Sequence, residues 1–355
     1  MKVGIAYSLA PSATDQPLDG PDDRFEEFDK PETVEAIAAI IRGEGHEVIL
    51  LGDGREFLTR VLADRPDFVF NIAEGEGVGR CREARVPAVL EMLNIPYSGS
   101  DPLTLAACLD KEVAKRLVGH NCPRGSVSVC PVLTDEEEER RFMSGVYELF
   151  EPLIPGEPVD LNQHPLILKP AFEGSSKGIH RSAIATTEAE VIFNYRLLRR
   201  DYNQPILIEE FIIGEEVTVG VFGNWSPERG TEIEVFGTMR VVPRQSTDRF
   251  VYSLEVKRDW RNQIDYETPA VVPGVDLWKI EYAAQLAYIH LGCRDFARID
   301  FRVRDGVPYF IEANPLPGLA PVSSDLVILA AGYGISHAEL IRKILHAALV
   351  RVGLA

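Results

Sequence analysis

The chain has 355 residues, of which 45% are hydrophobic and 26% are charged, so it is long enough for two or three domains with separate cores. Its formal net charge of -18 argues against a nucleic-acid partner, because phosphate backbones bind to basic surfaces. No apolar run approaches the ~20 residues of a membrane helix, and the cysteines form no CxxC pair. We therefore expect a cytoplasmic protein with reduced thiols, no membrane association and no nucleic-acid partner.

The N-terminal third of the chain alternates strand and helix patterns. Apolar runs at residues 3–6, 47–51 and 68–70 predict buried parallel strands. Pro31 opens a predicted helix whose apolar residues recur at helical spacing, and residues 55–62 predict the next helix. Repeated βα units predict a doubly wound parallel sheet, which binds ligands beyond the carboxyl ends of its strands.

The loop of residues 71–85 follows the third predicted strand and therefore lies at such an end. It contains Glu74-Gly75-Glu76-Gly77, but these glycines lack the GxGxxG spacing after the first strand, and the acids would repel a pyrophosphate. Dinucleotide binding is therefore disfavoured. Two alternatives stay open for the other charged residues: they bind a substrate carboxylate, or they form the solvated start of a helix. These residues are Arg80, Arg82, Glu83 and Arg85.

The middle of the chain combines strand and helix patterns. The acidic run at residues 135–139 predicts the solvated first turn of a helix, where negative charge suits the helix dipole. Residues 166–170 predict an apolar strand that carries Lys169. The glycines and serines of residues 173–178 can expose backbone N–H groups and hydroxyls to an anion. A further strand pattern at residues 206–211 ends in acids.

Two strand patterns flank the turn Arg304-Asp305-Gly306. The first carries Arg298 and Asp300 and the second Glu312 and Asn314, each pair on one face of its strand because side chains alternate. A plain two-residue turn would put the two pairs on opposite faces, so we expect an odd loop or a bulge. The set then offers oxygen ligands for Mg2+ beside an arginine. The alternative is a surface hairpin whose charges face water.

A lysine strand, a flexible loop, an acidic strand end and this hairpin follow one another in the order found in ATP-grasp enzymes. The chain resembles specifically the D-alanine–D-alanine ligase family, also through Asp110-Lys111 after Pro96-Tyr97-Ser98-Gly99-Ser100 and through Asn314-Pro315-Leu316-Pro317-Gly318. The likeness implies an α/β fold of ATP-grasp architecture, with an N-terminal doubly wound parallel-sheet domain and two α+β domains enclosing ATP. The implied domains are an N-terminal α/β domain (residues 1–122), a central lid domain (123–215) and a C-terminal domain with the metal and substrate site (216–355).

The resemblance implies a carboxylate–amine ligase: ATP phosphorylates a carboxylate, and an amine attacks the acyl phosphate to form an amide, as in a dipeptide. The implied cofactors are ATP and Mg2+, or Mn2+ in its place, and the implied metal ligands are Asp300, Glu312 and Asn314. The implied nucleotide-binding residues are Lys111, Lys169, Glu173, Ser175, Ser176, Glu209, Glu210, Phe211 and Glu216. The implied catalytic residues are Arg298, which would stabilise the developing charge, with Ser175, Lys257 and Glu26.

The amino-acid half of the site departs from the family pattern. Members that join two D-alanines usually carry His-Gly after the third strand, where this chain has Ala73-Glu74-Gly75; Arg258 follows Lys257 where tyrosine is common, and Ser323-Ser324-Asp325 replaces Ser-Leu. Either Glu26 or Glu27 matches the acid that meets the first substrate's ammonium group. The residues expected to face the substrates are Arg258, Gly318, Ser323 and Ser324. We therefore expect D-alanine to be a poor substrate and a larger or more polar amino acid to be preferred.

Three functions are compatible with these patterns. One is a D-alanine–D-alanine ligase for cell-wall precursors, and another is a ligase of the same mechanism for other amino acids or a carrier-bound acid. The third, a nucleotide-binding protein without turnover, is disfavoured by the intact hairpin set. The implied partners are ATP and amino-acid-type substrates, and a homodimer is the assembly expected from the family. Residues 173–178 and 244–259 are expected to be mobile without nucleotide and ordered with it.

Overall fold

The computed structural model describes residues 1–11, 20–150, 160–226, 230–245, 247 and 249–355, and their strands form three sheets. The first sheet consists of β1 (Lys2–Tyr7), β2 (Glu47–Gly52) and β3 (Phe68–Ile72). Its order is β2-β1-β3 and both pairings are parallel. All of β3 is buried, as expected for a parallel strand covered on both faces.

Helices cover both faces of this sheet, which is the predicted doubly wound arrangement. The first five helices are α1 (Pro31–Gly43), α2 (Gly54–Ala63), α3 (Arg85–Met92), α4 (Pro102–Leu109) and α5 (Lys111–Val118). α1 begins at Pro31, as predicted, and its buried residues Val34, Ile37 and Ile41 contribute to one hydrophobic cluster. Phe57 of α2 and Leu90 of α3 belong to another cluster with the opposite face of the sheet.

Side-chain caps determine where α4 and α5 begin. Asp101 accepts a hydrogen bond from the backbone N–H of Thr104, and Asp110 accepts one from that of Val113. Gly119 ends α5 in the left-handed conformation, with φ of 78°. Capping by Asp110 therefore fixes the position of Lys111, the first residue of α5.

The second sheet is antiparallel and has the order β4-β7-β5-β6. Its strands and helices are β4 (Val127–Val129), α6 (Glu136–Phe150), β5 (Leu166–Pro170), β6 (Ile184–Ala185), α7 (Glu188–Tyr202) and β7 (Ile206–Glu210). α6 begins within the acidic run, as predicted. Every residue of β5 and β7 is buried, so Lys169 and Glu209 lie inside the molecule, where each charge requires a partner.

The third sheet is antiparallel and has the order β10-β9-β8-β11-β12. The remaining strands and helices are β8 (Glu215–Ser226), β9 (Gly230–Pro243), α8 (Leu254–Arg258), α9 (Trp260–Gln263), β10 (Ile264–Glu267), α10 (Leu277–Leu291), β11 (Asp295–Arg304), β12 (Val307–Asn314), α11 (Asp325–Gly332) and α12 (His337–Arg351). None of the described helices is long and apolar enough to cross a membrane.

The first and third sheets share a hydrophobic core. One cluster contains Val3 and Ile5 of β1, Phe222 of β8, Phe296 of β11 and Leu345 of α12. The second sheet has a separate cluster with α6 and α7. The domain limits predicted at residues 122 and 215 lie close to the ends of the second sheet's strands and remain predictions. The packing joins the N-terminal and C-terminal parts of the chain and leaves the middle part with its own core.

Candidate active site

The hairpin of β11 and β12 places its four polar residues on one face. Asp300 pairs with Glu312 and Arg298 pairs with Asn314 across the antiparallel ladder. The turn is the plain two-residue turn, with Arg304 opposite Val307. The register shifts by one residue just beyond Asp300, so the expected bulge is present and the prediction of a shared face is confirmed. The alternative interpretation, a surface hairpin whose charges face water, is wrong, because the side chains of Asp300 and Arg298 are only 14% and 10% exposed.

These side chains form a dense polar cluster. Arg298 Nη2 lies 2.9 Å from Asp300 Oδ2, and Asn314 Nδ2 donates to the same oxygen at 3.1 Å. Burial raises the pKa of Asp300, with Arg298 opposing the shift. Burial also acts on Glu312, but the charges of Lys111, Lys169 and Arg298 outweigh it and hold its pKa below the ordinary value. Two carboxylates and an amide oxygen suit a hard divalent cation, and added positive charge would relieve the burial of Asp300.

A cavity with an empty volume of about 850 Å³ lies between the second and third sheets and contains every residue predicted to bind nucleotide. We call it the first cavity. Its wall includes Lys111, Lys169, Glu173, Ser175, Ser176, Glu209, Glu210, Phe211 and Glu216, together with Lys257, Arg298, Asp300 and Glu312. The fold therefore brings together residues from α5, β5, β7, β8, β11 and β12 that are distant in sequence.

Lysines and acids in and behind the wall of this cavity already form ion pairs within the protein. Lys169 Nζ lies 2.7 Å from Glu209 Oε1, and Lys115 Nζ lies 3.3 Å from Glu209 Oε2. Burial would raise the pKa of Glu209, but Lys115 and Lys169 outweigh it and lower that pKa to about 2. Lys111 Nζ lies 3.2 Å from Glu312 Oε2. Lys115 was not identified as a site residue from the sequence, although it lies four residues after Lys111 and hence on the same helix face.

The acidic strand ends carry arginine partners that the sequence did not predict. Arg302 Nη1 lies 2.9 Å from Glu216 Oε2, and its guanidinium lies 4.5 Å from the centre of the Phe211 ring. Burial raises the pKa of Glu216 to about 7, although Arg302 opposes the shift. Arg304 Nη1 lies 2.6 Å from Glu210 Oε1. Arg302 lies two residues after Asp300 and therefore on the same face of β11 as Arg298 and Asp300. This two-residue spacing could have identified Arg302 as a site residue from the sequence.

Hydrogen bonds hold the loop of residues 173–178 to two other segments, one near Glu27 and one near Tyr252. The backbone N–H of Gly174 donates to Glu27 Oε1 at 2.6 Å, and the Ser176 hydroxyl donates to the Tyr252 carbonyl at 2.9 Å. Ser175 and Ser176 have φ of 49° and 61°, an uncommon conformation for residues other than glycine. Loop residues that carry such strain are often part of a functional site.

A smaller cavity, with an empty volume of about 510 Å³, adjoins the first. We call it the second cavity. It shares Lys111, Glu173, Gly174, Ser175, Arg298 and Glu312 with the first cavity. Its other wall residues include Glu27, Glu74, Glu83, Asn314 and Gly318. The predicted metal ligands thus lie where the two cavities meet.

Neither alternative for the charged residues after β3 describes Arg82. Its side chain is 1% exposed and lies 2.9 Å from Glu27 Oε2 and 3.3 Å from Glu173 Oε2. It also donates to the Phe172 carbonyl at 2.6 Å. Arg82 therefore links loops inside the protein through the carboxylates of Glu27 and Glu173, and it is neither the solvated arginine nor the free partner of a substrate carboxylate that the two alternatives described. Arg80 and Arg85 are exposed, whereas Glu83 is buried.

The predicted substrate residues are divided among several places. Arg258 Nη2 lies 2.9 Å from Glu26 Oε2, and neither residue is part of the wall of the two cavities. Glu27, the alternative to Glu26, does contribute to the second cavity. Gly318 also belongs to that wall, whereas Ser323 belongs to neither cavity. Ser324 Oγ accepts a hydrogen bond from the Ala320 N–H at 2.9 Å.

Asp325 lies in the site but was not among the residues predicted from the sequence. Its carboxylate, in the first turn of α11, lies 3.4 Å from Arg298 Nη1 and 3.6 Å from Lys257 Nζ. It also accepts from the Tyr252 hydroxyl at 3.1 Å. Burial would raise its pKa, but Lys257 and Arg298 outweigh burial and lower it. The departure from Ser-Leu at this position was the signal in the sequence.

Comparisons with known proteins agree with this architecture. The D-alanine–D-alanine ligase of Bacillus anthracis complexed with ATP aligns with a TM-score of 0.68 at 22% identity over 100% of both chains. The VanG D-Ala:D-Ser ligase of Enterococcus faecalis aligns with a TM-score of 0.65 at 20% identity, over 98% of this chain and 99% of that one. The fold is thus that of ATP-grasp ligases.

Sequence similarity identifies the family. The family described as "D-ala D-ala ligase C-terminus" matches residues 154–346. The D-alanine–D-alanine ligase of Fervidobacterium nodosum is 30% identical over 87% of this chain and 90% of that protein. The ligase of that name from Desulforamulus reducens is 28% identical, over 89% and 92%. The chain belongs to the D-alanine–D-alanine ligase family, whose members are ATP-dependent ligases that form carbon–nitrogen bonds.

Proposed function

We propose that this ligase binds ATP with Mg2+ in the first cavity and activates an amino-acid-type carboxylic acid in the second. The supporting observation is the wall that the two cavities share, which contains Lys111, Arg298 and Glu312. Residues that line both cavities lie where the cavities adjoin, and a phosphoryl group transferred from ATP to the acid has to move through this region. The relatives named as D-alanine–D-alanine ligases, one of them solved with ATP, support the nucleotide.

In the proposed reaction an oxygen of the donor carboxylate attacks the γ-phosphorus of ATP, and ADP leaves. The amine nitrogen of the acceptor then attacks the acyl carbon, loses a proton, and expels inorganic phosphate. Lys111 and Lys169 hold the phosphates, and Arg298 stabilises negative charge that develops on the transferred group. The loop of residues 173–178 closes over the phosphates and excludes water from the acyl phosphate.

Asp300, Glu312 and Asn314 would hold the Mg2+ ion, for which Mn2+ is an alternative. Such an ion neutralises the phosphates and orients them when it is bound. The donor set supports this assignment, because it provides two carboxylates and one amide oxygen and leaves the other positions to phosphate and water. Burial raises the pKa of Asp300 in the absence of a cation, and this also favours a cation beside it.

The test uses ADP release in the presence of ATP, Mg2+ and mixtures of amino acids. Asp300→Asn and Glu312→Gln are each expected to lower kcat by about 100-fold or more, since loss of a charged ligand removes several kcal/mol of transition-state stabilisation. Asp305→Asn in the turn of the same hairpin is the matched control. Asp305 is exposed with φ of 51°, a conformation that asparagine tolerates, so activity should be unchanged. Wild-type turnover in Asp300→Asn would refute the metal assignment, and ATP binding without ADP release under any mixture would refute ligation.

A further inference from the structure

The acidic residues of the second cavity are not all neutralised by the protein. Glu27 and Glu173 are paired with Arg82 and Lys177. Glu312 is paired with Lys111 and Arg298. After these pairings, two carboxylates in the cavity wall have no cationic partner among the described residues. They are Glu74 and Glu83.

Glu83 is the more informative of the two carboxylates. The residue is 7% exposed, contributes to the wall of the second cavity, and has no hydrogen-bond or ion-pair partner within the described part of the chain. Burial raises its pKa to about 8, against the effect of Arg82. Burial likewise raises the pKa of Glu74, and the charge of Glu83 adds to that shift. A buried carboxylate without a partner is unfavourable unless a ligand supplies positive charge.

The cavity therefore has two chemically different parts. Mg2+ bound to Asp300 and Glu312 would release Lys111 and Arg298 from these acids for a carboxylate or a phosphorylated carboxylate, whereas Glu74 and Glu83 suit an ammonium group. A simple zwitterionic amino acid brings one ammonium group, for which one carboxylate is enough. Glu27 is already bound to Arg82, Lys177 and the Gly174 N–H, so it adds no free negative charge. Two carboxyl groups without an ion-pair partner match a ligand with two ammonium groups, because each can give up its proton and become the counter-ion of one ammonium group.

We propose that the donor acid is a diamino acid, whose two ammonium groups bind Glu74 and Glu83 while its carboxylate reaches Arg298. This inference rests on the proposed function, since it assumes that the second cavity holds the acid activated by ATP. The empty volume of about 510 Å³ lies in the range of small-molecule sites, about 300–1,000 Å³. The proposal identifies Glu74, in the altered loop after β3, as a residue that determines specificity.

Hydroxylamine tests the donor independently of the acceptor. Its nitrogen attacks the acyl phosphate in place of the amine, expels phosphate and leaves a hydroxamate that can be measured. The probes are both enantiomers of 2,3-diaminopropionate, 2,4-diaminobutyrate and ornithine, with alanine, norvaline and lactate as comparison acids. The best diamino acid is expected to exceed the neutral amino acid of equal length by about 100-fold in kcat/KM, since only the diamino acid brings a second ammonium group that can form an ion pair in the cavity.

Variants assign the preference to the two carboxylates. Glu83→Gln and Glu74→Gln are expected to raise the KM for the diamino acid about 10-fold to 100-fold with little change in kcat, and to reduce its advantage over norvaline. Glu76→Gln, an exposed acid of the same loop, is the matched control and should leave KM unchanged. Thermal unfolding without ligand at pH 9 checks the fold. Glu83→Gln should unfold at or above the wild-type temperature, because it removes an unpaired buried charge.

The outcomes separate this inference from the proposed function. Hydroxamate from none of the acids would refute ATP-dependent carboxylate activation itself. Hydroxamate formed equally well from norvaline and the diamino acids, with KM unaffected by Glu83→Gln, would leave ligation standing and overturn the diamino-acid donor. A preference for diamino acids that both glutamine variants abolish would support it.

Discussion

The carboxylate of Asp325 lies 3.4 Å from Nη1 of Arg298, and the same oxygen lies 3.6 Å from Nζ of Lys257. One buried acid thus holds two cations that belong to different segments of the chain. Tyr252 donates to its other oxygen at 3.1 Å. Asp325 therefore links α8 and β11 at the wall of the first cavity and acts as a positioning residue.

Asp325→Asn keeps the shape of the side chain and removes its charge. We expect kcat to fall about 10-fold to 100-fold, because Arg298 and Lys257 lose the anchor that orients them, an effect of about 1–3 kcal/mol. The KM for ATP should change less than kcat. Steady-state kinetics separate the two parameters, and Ser323→Ala, an exposed neighbour, is the control. A normal kcat in Asp325→Asn would show that Asp300 and Glu312 are enough to hold Arg298 in place.

Glu209→Gln tests the internal charge pair of the second sheet. The change leaves Lys115 and Lys169 buried without a counter-ion, so we expect the free energy of unfolding to fall by about 3–5 kcal/mol. Urea unfolding at pH 7 measures this loss. Glu137→Gln on the exposed face of α6 should have no effect.

The same pair predicts a pH dependence of stability. The pKa of Glu209 lies at about 2 in the folded protein and at 4.5 ordinarily, so its contribution is complete above pH 4.5 and is lost as pH falls towards 2. The difference in unfolding free energy between wild type and Glu209→Gln should shrink across that interval. A difference that stays constant down to pH 3 would contradict the assigned ion pair.

The loop of residues 173–178 and the segment of residues 244–259 should gain protection from amide exchange when ATP and Mg2+ bind. Residues 246 and 248 of the second segment lie outside the described residues. Phosphate contacts to the loop N–H groups would supply this order. Hydrogen exchange with and without a non-hydrolysable ATP analogue measures the change, with α12 as the internal reference. Equal exchange rates in the two states would refute closure.

The KM for a diamino acid donor should fall as pH rises from 6 to 8. Burial raises the pKa of Glu83 to about 8, so the free enzyme must release a proton before Glu83 can bind a cation. Glu74, Glu27 and Glu173 add to the local negative charge, whereas Arg82 and Lys111 oppose it. Glu83→Gln should flatten the profile of KM against pH. A wild-type profile that is already flat would be inconsistent with this role.

D-alanine alone should be a poor substrate. The expectation from the sequence included Arg258, but that side chain is bound to Asp22 and Glu26 outside both cavities. The expectation now depends on Glu74 in the wall of the second cavity, an acidic group for which the methyl side chain of D-alanine offers no partner. Steady-state kinetics with D-alanine as donor and acceptor decide it. A kcat/KM typical of an efficient enzyme, about 10⁵ M⁻¹s⁻¹ or more, would contradict this prediction and favour D-alanine as the substrate.

The parts of the site that local patterns specify were predictable from the sequence. Alternation identified Arg298, Asp300, Glu312 and Asn314, and the parity of their spacing required an odd loop or a bulge, of which the structure has the bulge. Partners distant in the chain were not predictable in this way. Arg82 pairs with Glu27 and Glu173 because three segments meet in the fold, and no periodicity records that meeting.

The choice between Glu26 and Glu27 shows the same limit. Consecutive residues of a loop point in different directions, and composition does not tell which one faces inward. The structure places Glu27 in the second cavity and Glu26 beside Arg258. Burial of Glu83 was equally hidden, because its neighbours Arg82 and Arg85 suggested a solvated segment.

The single extra residue of β12, Ile311, makes the site depend on the pairing register of the hairpin as well as on its side chains. If the ladder ran on without the bulge, Ile311 would lie opposite Asp300 and Ala313 would turn towards the cavities, while Glu312 and Asn314 would enter the hydrophobic layer that now contains Ala313 and Phe310. The chain would keep every candidate ligand and lose the site. A hairpin from which Ile311 is deleted would instead keep Glu312 opposite Asp300 without any bulge, so the register, and not the carboxylates alone, defines the active site.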